Sequence, residues 1–298
     1  MTIQKRKKAS DFDQRILEIF DGYVHGKVSK REFIAQAGRY AAAGVTGAMI
    51  LDQLQPNYAW AQQVAPDDPA IETMVAEYQS PEGHGTIKGL MAKPAGADGA
   101  LPAVLVVHEN RGLNPYIEDV VRRAAKAGYL AFGPDGLTPL GGYPGTDDEG
   151  RTMQRSLDRV KLMADFFAAF EFLRDHPGST GRVGAVGFCY GGGVCNALAV
   201  AYPDLAASVP FYGRQPDAAD VPRIEAPLMI HYAGLDDRIN AGWQAYSDAL
   251  RANQKEFSVH FYPDVNHGFH NDTTPRYDEA AAALAWERTL NFFAAHLR

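Results

Sequence analysis

Cysteine is scarce: the 298 residues contain two, Cys189 and Cys195. They stand six apart on what reads as one helix and its entry turn, too close and wrongly directed for an easy disulfide. Neither forms a CxxC or zinc-binding spacing, so a disulfide scaffold is not expected and Cys189 is read as a reduced thiol. No uninterrupted apolar run reaches the roughly 20 residues of a membrane-spanning helix. Excess positive charge is missing too. The 29 basic and 36 acidic side chains leave a net charge of -7, which gives no electrostatic footprint for nucleic acid or an anionic membrane. The basic cluster "KRKK" near the amino end is the local exception and is expected to be a solvated terminus. Internal repeats and low-complexity tracts are absent as well. What is left, with 46% hydrophobic residues, is a soluble globular protein of one sizeable domain and an appendage.

The appendage is residues 1–65, followed by "PDDPA" at 66–70, which reads as a linker. Phe12, Ile16, Ile19, Phe20 and Tyr23 recur at helical spacing. Ser29 and Glu32 are placed as a capping box that would start a second helix after Gly26. A retained helical hairpin in a cytoplasmic protein is therefore expected. The same letters also resemble a twin-arginine export signal. "SKREFI" at 29–34 carries Lys30 where the first arginine would stand, a mostly apolar stretch runs from Tyr40 to Leu51, and "AWA" at 59–61 would be the cleavage site of a periplasmic protein. Asp11, Asp13, Glu18 and Asp21 in the lead, Arg39, and Asp52 closing the stretch depart from that pattern. The apolar stretch also makes a homo-oligomer an expectation.

From residue 71 to 298, strand-length apolar runs alternate with helix-period segments, the pattern of an α/β domain with a mostly parallel central sheet flanked by helices. "MVAEYQS" and "TIKGLMAKP" read as an opening hairpin, and "PAVLVVHE" (102–109) as a strand buried on both faces. "YLAFGPD", "RVGAVGF", "ASVPFYG", "PLMIHYAG" and "FSVHFYP" are the further strands. A helix through "IEDVVRRAAKAG" should stop at Gly128, and one long helix is expected from about Thr152 to Arg174. Others are expected near 190–201, 240–253 and 276–296. In such sheets ligands bind at the carboxyl ends of the strands.

At one of those ends stands "GFCYG" (187–191), between a predicted strand and a predicted helix. This is the spacing of a nucleophile elbow, in which a sharp turn presents the central residue and glycines let strand and helix approach. A helix amino terminus beneath the sulfur would favour thiolate. Such elbows need an acid and then a histidine in later loops. "MIHYAGLDDRI" offers Asp236, with Asp237 as the alternative, and "VHFYPDVNHGFH" offers His267, with His270 as its rival. A metal site from Asp264, His267 and His270 has no supporting spacing, so no metal is expected.

Together, "GFCYGGG", "AGLDDRI", "NHGFH", "VVHENRGLNPYIEDVVRRAAKAGY" and "FGPDGL" resemble the dienelactone hydrolase family of the α/β-hydrolase superfamily, over about 75–296. The resemblance implies Cys189 as nucleophile, Asp236 as acid and His267 as base, with no cofactor. It further implies that Glu109 contacts the resting thiol and is displaced by substrate, and that the backbone N–H groups of Asn110 and Tyr190 form the oxyanion hole. Family members that act on dienelactone hold its carboxylate with arginines. One such position is Asn271 here; another falls among Arg151, Arg155 and Arg159, while Arg214 and Arg111 are further candidates. Tyr212 and Phe269 are candidate pocket residues, with Phe188, Tyr190 and Phe211 among the other aromatics. The expected function is hydrolysis of small carboxylic esters or lactones through a thioester. A promiscuous carboxylesterase or thioesterase and a non-catalytic binding protein on the same scaffold are the alternatives.

Overall fold

The structure, a computed structural model, describes residues 6–42, 44–60 and 62–298. Three short helices come first: α1 (Gln14–Val24), α2 (Lys30–Ala37) and α3 (Gly47–Leu54). Each begins on a side-chain cap, from Asp13, Ser29 and Thr46 respectively, and Ser29 with Glu32 completes the expected capping box. Short helices like these are marginal alone, so packing must hold them. Ile16, Leu17 and Phe20 of α1 bury against Phe33 and Ala37 of α2 and against Ile50, Leu51 and Leu54 of α3, a small core of their own. Lys5 of the basic cluster, Ala43 of the apolar stretch and Ala61 of the "AWA" site lie outside the described residues. Arg6 departs from the expected solvated terminus. Its guanidinium stacks over the rings of Trp60 and Tyr277, because a planar cation gains from aromatic faces.

The rest of the chain builds an eight-stranded sheet from β1 (Ile71–Ser80), β2 (Gly85–Pro94), β3 (Leu101–Val107), β4 (Leu130–Pro134), β5 (Ser179–Phe188), β6 (Ala207–Phe211), β7 (Leu228–Ala233) and β8 (Phe257–Tyr262). Their spatial order is β1-β2-β4-β3-β5-β6-β7-β8. Pairing is antiparallel for β1 with β2 and β2 with β4, and parallel from β4 to β8. Each face carries its own core. On β3, Ala103, Leu105 and Val107 join one cluster while Val104 and Val106 join the other, the period of two that a strand imposes. Helices α4 (Pro115–Lys126) and α10 (Glu279–Leu297) cover one face; α6 (Arg159–Asp175), α7 (Tyr190–Ala201) and α9 (Trp243–Ala252) cover the other.

One expected helix is in fact two. The run from Thr152 to Arg174 divides into α5 (Asp147–Ser156) and α6, with Leu157 extended between them. Asp158 accepts from the backbone N–H groups of Val160 and Lys161 and so restarts the helix, a competition that its short carboxylate wins over continuing the turn.

The appendage is laid against the strands' carboxyl ends. Gln14 Nε2 donates to Asn266 Oδ1 at 2.8 Å, the Tyr23 hydroxyl to Asp148 at 2.7 Å and the Asn57 backbone N–H to the Thr273 carbonyl at 2.8 Å. α1 thus crosses the rim where the sheet presents its functional loops.

Candidate active site

β5 ends at Phe188 and α7 begins at Tyr190, so the turn between them falls on Cys189, held at φ 55 and ψ -109. A non-glycine residue in that region costs roughly 1–3 kcal/mol and persists only where its surroundings dictate it. Here the Cys189 backbone N–H donates to the Phe211 carbonyl at 3.0 Å. A Cβ on Gly191 would sit 2.3 Å from the Val107 carbonyl oxygen, and one on Gly187 would sit 2.2 Å from that of Gly191. The two glycines are the close approaches that let α7 start directly behind the sheet.

The two later loops arrive beside this turn. Asp236 follows β7 and caps the short helix α8 (Asp237–Asn240). His267 follows β8, and its Nδ1 lies 2.5 Å from Asp236 Oδ2, so the acid facing it is Asp236 rather than Asp237. His270 is occupied elsewhere, with its Nδ1 2.7 Å from the buried Tyr116 hydroxyl. Burial works against ionising Asp236, but attraction to His267 and their hydrogen bond hold its carboxyl below the ordinary range. Among the described residues His267 Nε2 is buried without a hydrogen-bond partner, and the ring packs on Tyr212.

The side chain facing the sulfur comes from the appendage. His25, the residue that closes α1, places Nε2 3.2 Å from Cys189 Sγ, and its ring meets that of His267 edge to face at 4.9 Å. Its Nδ1 lies 2.7 Å from the Asp21 carbonyl oxygen. That oxygen can only accept, so Nδ1 carries the hydrogen and, in the neutral ring, Nε2 turns a lone pair to the sulfur. Burial opposes charging His25, while the Cys189 sulfur and Asp21 push its pKa up. The Asp21 carboxylate pairs with Arg238 Nε at 3.0 Å and Arg276 Nη1 at 3.6 Å.

Glu109 differs from its expected place beside the resting thiol. It is buried, with Oε2 2.8 Å from Arg111 Nη2 and 2.9 Å from Asn271 Nδ2. Arg111 also holds Asp147 at 2.6 Å. A carboxylate so compensated is tied in place, and Arg111 and Asn271 are spent on it rather than presented to a ligand. Phe269 is wholly buried in the core beneath.

A cavity of about 810 Å³ opens over Cys189, lined also by His25, Asn110, Tyr190, Tyr212, Arg238 and His267. Its mouth carries Arg155, Arg159 and Arg214, which among the described residues make no ion pair, whereas Arg151, Arg223 and Arg238 are paired with Asp148, Asp220 and Asp21. Asn110 is steadied by donating from Nδ2 to the Val24 carbonyl at 2.8 Å.

Donor atoms of His25, Cys189 and His267 lie within 4.8 Å of one another, close enough to suggest a metal ion. Arg238 Nη2, however, is 3.2 Å from His25 Nε2. A fixed cation stands where a metal would be, so no ligand set is assigned here. His25, Asp21 and Arg238 were not legible as site residues in the sequence. The only local signal is the i, i+4 spacing of Asp21 and His25, which puts carboxylate and imidazole on one helical face.

The sheet order and the elbow at Cys189 define an α/β-hydrolase fold. The chain belongs to the dienelactone hydrolase family, whose model matches residues 87–297, and is a hydrolase of esters or lactones. A second model, "YqhI-like", matches residues 4–42. The chain is 57% identical over 114 residues to the "Putative hydrolase fragment YghX" of Escherichia coli (strain K12), covering 38% of this chain and 97% of that one. It is 30% identical over 265 residues to a "Putative carboxymethylenebutenolidase" of Methylorubrum extorquens, covering 82% and 91%. Among solved structures, the dienelactone hydrolase-like promiscuous phosphotriesterase P91 from metagenomic libraries superposes with a TM-score of 0.66 at 25% identity, covering 77% of this chain and all of that one. Among the described residues no helix is long and apolar enough to cross a membrane.

Proposed function

We propose that the chain hydrolyses small carboxylic esters or lactones by forming a thioester on Cys189. The observation that carries this reading is the strained turn at Cys189 opening on the same cavity as the His267–Asp236 pair. In this mechanism the Cys189 thiolate attacks the carbonyl carbon. The oxyanion accepts from the backbone N–H groups of Asn110 and Tyr190, two residues that line the cavity with Cys189. The C–O bond breaks and the alkoxide leaves with a proton from imidazole. His267, oriented by Asp236, then takes a proton from water, and the hydroxide releases the acyl group as acid and restores the thiolate. The free Nε2 of His267 suits that second step.

Arg155, Arg159 and Arg214 at the mouth, without an ion pair among the described residues, favour a substrate that carries a carboxylate of its own. The name of the Methylorubrum relative, a carboxymethylenebutenolidase, points to the same lactone chemistry. The test is p-nitrophenyl acetate turnover by the Cys189→Ala variant, together with intact mass of the wild type during turnover of activated esters and lactones. Turnover should fall by at least about a thousandfold, and an acyl adduct should appear on the wild type only. Undiminished turnover by Cys189→Ala overturns the assignment.

A further inference from the structure

Among the described residues the Cys189 thiol has one side-chain hydrogen-bond partner, and it belongs to the appendage: His25. His267 Nε2 makes no such bond. We infer that His25, supplied in cis by α1, is a further catalytic residue that takes the Cys189 proton, leaving His267 to activate water. The inference rests on the thioester reading above and divides its proton transfers between two imidazoles.

Asp21 orients the ring from one helical turn before it: its carbonyl oxygen accepts from His25 Nδ1 at 2.7 Å and its carboxylate Oδ1 lies 3.2 Å away, whereas His267 Nδ1 is held by the Asp236 carboxylate. Both rings border the cavity that holds the sulfur. The S–H bond breaks with its electron pair left on sulfur, and the proton passes to His25 Nε2. When the thiolate has attacked and the C–O bond opens, the imidazolium returns that proton to the departing alkoxide. His267 then takes a proton from water, the hydroxide opens the thioester C–S bond to release the acid, and His267 returns that proton to the departing sulfur.

The charges facing His25 come from four elements. Asp21 stands on α1, Cys189 at the start of α7, Arg238 on α8 and His267 after β8, and Arg276 reaches Asp21 from behind. Arg238 Nη2, 3.2 Å from His25 Nε2 and 3.3 Å from His267 Nδ1, sits between the two rings. A guanidinium can only donate, so Arg238 faces the lone pair of His25 Nε2 alongside the thiol.

The site is therefore composite: the nucleophile and the water-activating pair come from the 71–298 region and the thiol's base from α1. The Val24 carbonyl that holds Asn110 is the residue before His25, so the same turn of chain also steadies the loop proposed for the oxyanion.

The experiment uses the full chain as wild type, Cys189→Ala, His25→Gln and His25→Ala. Two quantities are read: the rate of Cys189 alkylation by iodoacetamide against pH, and the pre-steady-state burst with p-nitrophenyl acetate. In His25→Gln, alkylation near neutral pH should fall about tenfold and its rise with pH should move upward, because the thiol has lost its base. The burst should slow by a similar factor while the later, deacylation-limited rate holds within about twofold. Added imidazole should restore alkylation of His25→Ala, a rescue that a merely structural role would not give. Wild-type alkylation and burst in His25→Gln overturn the inference. Faster alkylation also overturns it, since His25 would then be a cover on the thiol. Should Cys189→Ala keep its turnover, the thioester reading itself fails, whatever His25 does.

Discussion

Arg238 and Asp21 bind the appendage to the rim that carries Cys189: Arg238 Nε lies 3.0 Å from Asp21 Oδ2, joining residues 217 positions apart. The same guanidinium reaches His25 and His267, so one side chain ties α1 to α8 and to both imidazoles. Arg238→Ala leaves Asp21 with Arg276 as its remaining guanidinium partner. Both members of the pair keep some solvent contact, so the loss should be about 1–2 kcal/mol, below the 3–5 kcal/mol of a fully buried pair. Urea unfolding should show the lower midpoint, and limited proteolysis should show faster cutting within residues 1–65. An unchanged midpoint and cleavage rate would remove Arg238 from this role.

At the elbow, Gly191→Ala is expected to damage the fold more than any surface change. The new methyl would lie 2.3 Å from the Val107 carbonyl oxygen and 2.7 Å from that of His108, and backbone cannot yield as a side chain can. Overpacking of this kind costs about 1–3 kcal/mol or more, a drop of several degrees in Tm for a domain of this size. Differential scanning calorimetry would read it, and a wild-type Tm would contradict the tight turn.

Arg155→Ala and Arg214→Ala should separate charged from neutral substrates. Each removes a cation from the mouth of the cavity while leaving Cys189 and His267 untouched. KM for an ester bearing a carboxylate should rise about tenfold, the worth of one charge-assisted hydrogen bond, with kcat and the neutral ester little changed. Equal effects on both esters would argue against carboxylate recognition there.

Acid should unfold the chain through its paired aspartates. For Asp147, burial raises the carboxyl pKa but Arg111 and the Tyr58 hydrogen bond outweigh it and hold it low; Asp236 is lowered in the same sense. A folded pKa below the unfolded one gives stability that is full above the unfolded value of about 4 and is lost as pH falls through the folded value. Asp147→Asn should therefore be about 3 kcal/mol less stable at neutral pH, where Arg111 keeps a single carboxylate, and should lose less on acidification. Urea midpoints measured from neutral pH downward would check the sign.

Much of the 71–298 region could be read from local pattern. The apolar run at 102–109 is β3, the capping signature at Ser29 starts α2, and the glycines about Cys189 mark the turn. The convergence of Cys189, Asp236 and His267 was legible because each follows a strand in a parallel sheet, and such a sheet gathers those strand ends on one rim. Between the neighbours Asp236 and Asp237, spacing could not choose; one carboxylate starts α8 and faces His267. Glu109 was placed at the site by the family resemblance and Arg111 was a candidate substrate-binding cation, and only the fold shows them locked together with Asp147 and Asn271.

The amino-acid pattern by itself determined the strands, the helix caps, the elbow and the family, because each depends on residues a few positions apart. The tertiary structure alone decided what faces the sulfur. His25 lies 164 residues from Cys189, and no periodicity links a helix end to a strand end at that separation. Their meeting depends on how α1 packs across the rim, through Arg238, Arg276 and Asn266, a sum of long-range contacts that no stretch of chain contains.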